Sequence, residues 1–144
     1  MTPYGKPLPV TDERNRPFWE GARRGELCLQ RCVRCHAFRL PASRYCPGCG
    51  GDGSEWARVT GRGTLESFCH FHKAYFPGFE GEVPYNVAVV RLAEGARLFT
   101  NIVGVANDRL RIGMPVEACF DPVTPEITLV KFKPAGAPAT RRVE

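Results

Sequence analysis

Two cysteine pairs, Cys32-x-x-Cys35 and Cys46-x-x-Cys49, stand ten residues apart and restrict this chain more than any other feature. Two residues between thiolates let each pair close a tight turn, with both sulfurs on one side and backbone N–H groups aimed at them; two such turns complete a tetrahedron around a metal ion. Gly48, Gly50 and Gly51 relax the backbone of the second turn, and Pro41 and Pro47 stiffen its approach. All four positions are sulfur, so none is left for a catalytic water. The expectation is one structural Zn2+ held by Cys32, Cys35, Cys46 and Cys49. His36 reads as a solvated neighbour, because four thiolates already fill the shell.

Iron could use the same four ligands in the rubredoxin manner and would imply electron transfer, but no flavin or second-cluster motif accompanies them. The chain has seven cysteines, an odd number, and no export signal at its start, which favours metal ligation in a reducing cytoplasm over a disulfide framework. No apolar run is long enough to cross a bilayer. Cys28, Cys69 and Cys119 fall on expected strands and read as small buried hydrophobes. A nucleophilic Cys69 is disfavoured, since its strand neighbour His70 points to the opposite face.

The 15 Gly and 13 Pro in 144 residues point to many turns and short strands. Four zones follow: an N-terminal helical segment over residues 1–25, a zinc ribbon over 26–54, a barrel over 55–134 and a flexible tail over 135–144. Residues 11–24 read as helical, with Thr11 as N-cap, Pro17 dividing the helix, Phe18 and Trp19 as apolar anchors and Gly25 as its stop. The ribbon looks too small to bury a useful core. Five β-segments at 64–72, 85–92, 97–103, 116–121 and 127–132 suggest a small OB-type barrel, which removes exposed sheet edges. The fold class is therefore mainly β: short N-terminal helices, a rubredoxin-like ribbon, then a five-stranded OB-fold barrel.

On the first long strand, alternation puts Leu65, Ser67, Cys69 and Phe71 toward the core and Phe68, His70 and His72 on the other face. The loop Tyr75-Phe76-Pro77-Gly78-Phe79 either folds back over a barrel end or offers its aromatics to a partner. The formal charge of +5 falls to about +3 once four thiolates hold one zinc ion. Interleaved aromatic and basic residues also suit a stand-alone module for single-stranded nucleic acid. The basic residues are scattered, however: Arg31, Arg34, Arg39 and Arg44 in the ribbon and Arg58, Arg62, Arg91, Arg97, Arg109 and Arg111 beyond it read mostly as a solvated face. No Gly-x-Ser-x-Gly elbow, His-Glu-x-x-His helix or phosphate loop occurs, so activity of the chain alone is not expected.

From Pro17-Phe18-Trp19, through the four cysteines, Gly61-Arg62-Gly63-Thr64-Leu65, Pro84-Tyr85-Asn86-Val87-Ala88-Val89-Val90-Arg91-Leu92, Glu94-Gly95-Ala96-Arg97-Leu98 and Ile112-Gly113-Met114-Pro115-Val116 to Lys131-Phe132-Lys133-Pro134, the sequence resembles the DUF35 family. The resemblance implies a noncatalytic subunit in a hetero-oligomer. Its partner would be a thiolase-like or lipid-transfer-type (aldolase) protein acting on acyl-CoA thioesters by acyl transfer, thiolytic or aldol chemistry, with a hydratase as a further partner class. The partner would carry the catalytic residues, and CoA or acyl-CoA would be shared with it. A CoA site needs a few bases, an aromatic platform and an apolar groove. Strand position nominates His70, Lys73, Arg91, Arg97 and Asn101 as polar contacts, Phe68 or Tyr75 as platforms, and Arg141 and Arg142 of the tail as a further attraction for phosphate.

Overall fold

The computed structural model describes residues 5–136. Its first element is a helix, α1 (Arg16–Arg23), and local chemistry sets both of its ends. Asp12 and Asn15 lock each other, each side-chain oxygen accepting the other's backbone N–H at 2.8 and 2.9 Å. The chain therefore makes a turn at residues 12–15, and the helix starts well after Thr11, the expected cap. Pro17 lies in the first helical turn, where a missing N–H costs nothing, so it opens the helix and does not divide it. At the far end Gly25 adopts φ 78° and donates to the Ala22 carbonyl, while the Glu26 N–H donates to that of Gly21. These paired bonds stop the helix at the glycine, as expected.

β1 (Leu27–Cys32) is the middle strand of an antiparallel sheet, flanked by β2 (Phe38–Arg39) and β3 (Ser54–Val59). β3 contains Trp56 and pairs with β1 from Leu27↔Val59 to Cys32↔Ser54. Leu27, Leu29 and Val59 belong to one apolar cluster with Leu65, Val90, Val116 and Phe132 of the following sheet. This corrects the expectation that the cysteine region buries no useful core: it borrows the barrel's.

Five strands complete the fold: β4 (Arg62–Phe71), β5 (Tyr85–Leu92), β6 (Arg97–Thr100), β7 (Pro115–Pro122) and β8 (Thr128–Pro134). Their order is β6-β5-β4-β7-β8, antiparallel throughout. The sheet curls until its edges meet at a parallel bridge between Ile102 and Phe132, where the Val103 N–H donates to Phe132 and the Phe132 N–H to Asn101. This is the OB-type arrangement, closed along a short stretch.

One residue reverses the expected faces of β4. The pairing with β5 skips Glu66, a bulge between Leu65 and Ser67. Beyond it the alternation shifts by one, so Phe68 and His70 are half-buried while Ser67 and Cys69 are exposed. Cys69 is accordingly not the buried thiol that strict alternation implied, and Cys28 and Cys119 are half-buried. The aromatic loop divides as well. Phe79 folds back and stacks on Tyr85 at 4.7 Å, and Phe71 stacks on the same ring at 5.2 Å, while Tyr75 and Phe76 stay exposed. No helix among the described residues is long and apolar enough to cross a membrane. Expectations on residues 137–144, including Arg141 and Arg142, lie outside the described residues.

Candidate functional site

The two cysteine turns are the same structure built twice. In the first, the His36 N–H donates to the Cys32 carbonyl at 3.0 Å and the Cys32 N–H to Ala37 at 2.8 Å; in the second, Gly50 donates to Cys46 and Cys46 to Gly51, both at 2.8 Å. Each turn needs a left-handed residue after its second cysteine. Gly50 (φ 79°) fills that position in one and His36 (φ 66°) in the other. β1 delivers Cys32 at its end, and the residues after β2 carry Cys46 and Cys49 to meet it.

The four sulfurs lie within 4.8 Å of one another. Cys32 and Cys49 approach to 3.6 Å and Cys35 and Cys46 to 3.5 Å. A tetrahedral zinc centre, with Zn–S near 2.3 Å, requires sulfurs about 3.8 Å apart, so the donor set fits a zinc ion in both kind and spacing. Backbone dipoles point the same way: the Gly48 N–H lies 3.3 Å from the Cys46 sulfur and the Gly51 N–H 3.4 Å from that of Cys49. The N–H groups of Cys35 and Arg34 pull the Cys32 thiol down to about 6, and those of Cys49 and Gly48 lower Cys46. The Ala37 N–H favours a thiolate at Cys35, but the Cys46 sulfur and burial outweigh it and push Cys35 up to about 11. Four thiolates this close resist full ionisation, and a dication at their centre removes the conflict.

A second feature was not legible in the sequence. Between α1, the residues after β2 and the edges of β6 and β8 runs a largely apolar groove of about 550 Å³, walled by Phe18, Trp19, Leu40, Phe99, Leu129 and Val130. Phe99 is 79% exposed along it. Its walls come from four separate parts of the chain, and no local pattern announces it.

The five nominated polar residues do not form one cluster. Arg97 and Asn101 line the groove. Arg97 and Arg91 converge on Glu66, at 3.1 and 3.9 Å. The Asn101 amide donates to the Asn86 carbonyl. His70 lies on β4 with its ring 5.6 Å from Phe68, its Nε2 buried without a partner. Lys73 sits over the Tyr75 ring at 5.2 Å, in the loop beyond β4. Of the two platform candidates, Phe68 packs against the core and Tyr75 is exposed.

A four-sulfur centre on a ribbon that shares its core with an OB-type half-barrel defines a zinc-ribbon/OB-fold protein. Two family descriptions match consecutive parts of the chain: the ChsH2 rubredoxin-like zinc ribbon domain over residues 19–55 and the ChsH2 C-terminal OB-fold domain over residues 56–121. The chain belongs to this ChsH2-type DUF35 family. It is 39% identical over 130 residues to a probable enoyl-CoA hydratase alpha subunit of Thermomonospora curvata, a match covering 90% of this chain and 40% of that protein's length. With a DUF35 domain-containing scaffold protein of Methanothermobacter thermautotrophicus it shares 32% identity over 105 residues, covering 72% of this chain and 78% of the relative. Among solved structures, the Ltp2-ChsH2(DUF35) aldolase matches with a TM-score of 0.79 and 39% identity, covering 89% of this chain and 99% of the matched one. A DUF35 protein of Sulfolobus solfataricus, 16% identical with a TM-score of 0.61, shares the fold.

Proposed function

We propose that this chain is the noncatalytic zinc-ribbon/OB-fold subunit of a hetero-oligomeric enzyme acting on acyl-CoA thioesters. The partner, a thiolase-like or lipid-transfer-type aldolase protein or else a hydratase, carries the catalytic residues. The observation that carries this reading is the match across 99% of a DUF35 chain in an aldolase, at 39% identity. The hydratase alpha subunit of T. curvata supports the wider acyl-CoA setting.

In this reading Cys32, Cys35, Cys46 and Cys49 hold one structural Zn2+, which fixes the ribbon against the barrel and supplies no chemistry to substrate. The groove takes the apolar arm of CoA or its acyl group against Phe18, Trp19 and Phe99, with Arg97 and Asn101 as polar contacts. Arg91 extends that polar rim through the Glu66 it shares with Arg97, His70 lies further along β4, and Lys73 lies in the loop beyond it. Ion pairing weighs against the single-strand-binding reading at four bases of the barrel: Lys131 is 2.7 Å from Asp121, Lys133 faces Glu117, and Arg91 and Arg97 share Glu66, so each of these has a carboxylate beside it.

Co-expression with a thiolase-like protein encoded beside it tests the proposal. A purified two-protein complex is expected, with thioester turnover that neither chain shows alone. Failure to form any complex, together with tight and steeply salt-dependent binding of single strands by this chain, overturns it.

A further inference from the structure

Arg39 departs from the solvated face that most of the scattered bases suggest: it lies on β2 at 4% exposure. Its Nε donates to the Gln30 side-chain oxygen at 3.3 Å and to the Ser43 carbonyl at 3.2 Å, and its Nη2 donates to the Arg44 carbonyl at 3.4 Å. Nη1 is buried with no partner at all. None of the ion pairs among the described residues involves Arg39. A guanidinium cannot shed its proton at any pH the protein meets, and a buried charge met only by neutral dipoles is costly. Negative charge nearby would offset that cost.

We propose that Arg39 is the counter-charge and brace of the four-cysteine centre, an inference that rests on the zinc reading above. Four thiolates around a dication carry a net charge of about −2 in the same small ribbon. Arg39 pairs across β2 and β1 with Gln30, two residues before Cys32, and its other bonds land on Ser43 and Arg44, which lead into Cys46. Gln30 completes the frame: its oxygen accepts the Ser43 N–H at 2.8 Å and its amide donates to the Ser54 hydroxyl on β3 at 3.3 Å. One buried guanidinium thus ties the strand that carries the first cysteine pair to the segment that delivers the second. Asp12, Glu13 and Asp52 line a polar cleft with Gln30 and Ser43, but all three carboxylates are exposed to water, which screens them.

The test compares Arg39→Lys, Arg39→Gln and Arg39→Met in the full chain, with Asp52→Asn as a control. Zinc affinity is read by competition with a chromophoric chelator, and the midpoint potential is measured on the iron-loaded protein. Loss of the charge in R39Q and R39M is expected to weaken zinc binding at least about tenfold, the scale of second-shell effects on metal sites. R39K keeps the charge but loses part of the brace, so it should weaken binding less than R39Q does, and D52N should be neutral. Because the reduced iron centre carries one more negative charge than the oxidised one, R39Q should lower its potential and R39K should not, a difference that a merely structural role would not produce. If R39M fails to fold, R39Q, which keeps a donor toward Gln30 and Ser43, decides the matter. Parental affinity and potential in R39Q, or equal weakening in R39K or D52N, overturns the role of Arg39 alone. A parent chain that takes up no stoichiometric metal overturns the zinc reading and this inference with it.

Discussion

His36 marks the place where the two otherwise equivalent cysteine turns differ. Both turns need φ near +70°, and a side chain there costs roughly 1 kcal/mol that glycine does not. His36→Gly should therefore raise stability by about 1 kcal/mol with zinc content unchanged, read from the thermal midpoint, while Gly50→Ala should lower it by a similar amount. The cysteines outside the metal centre also separate by environment. Cys69 is exposed, whereas burial pushes Cys119 up to about 11, more than the nearby Lys133 and Lys131 pull it down. Alkylation of the zinc-loaded protein near pH 8 should modify Cys69 well before Cys119, as peptide mapping would show. The folded state holds the Cys119 proton more tightly than the unfolded chain does. Its contribution to stability is full below the ordinary thiol value of 9.0 and is lost as pH rises toward about 11. Denaturation midpoints measured with Cys119→Ala alongside the parent should diverge across that window.

At the scale of single elements, β4 shows how one backbone position redirects a strand. The side chain of Glu66 serves exposed ion pairs with Arg91 and Arg97, so Glu66→Ala should cost no more than about 1 kcal/mol. Deleting Glu66 removes the bulge itself. Because Glu66 is the unpaired extra residue, its removal joins Leu65 to Ser67 in regular alternation, Phe68 and His70 keep their inward face, and a retained cooperative unfolding transition is the expected result by circular dichroism. The helix has an equally local dependence. A Cβ on Gly21 would lie 2.9 Å from the Cys28 sulfur and 3.1 Å from the Glu26 carbonyl, so Gly21→Val should destabilise by about 1–3 kcal/mol, measured by urea titration.

Across the whole molecule, ribbon and barrel share one core, and this changes what metal removal does. Leu27, Leu29 and Val59 are held by the ribbon yet pack in the cluster that includes Phe132. Chelating the metal should therefore lower the midpoint of a single unfolding transition, by on the order of 10 °C, and not erase a separate minor one; calorimetry distinguishes the two. Phe132 is fully buried beside the bridge that closes the half-barrel, and Phe132→Ala should cost about 3–5 kcal/mol. The cysteine spacing, the glycine stop of α1 and the five β-segments could be read directly from the chain, because each depends on a few neighbouring residues whose local geometry is nearly unique to them. Pro17 and the Asp12–Asn15 turn hid both where the helix begins and that it runs unbroken. The inward face of β4, the burial of Arg39, the shared core and the groove beside Phe99 depended on the tertiary structure. Each arises where distant segments meet, or where a one-residue bulge resets an alternation, and in neither case does the energy that decides the outcome reside in the local sequence.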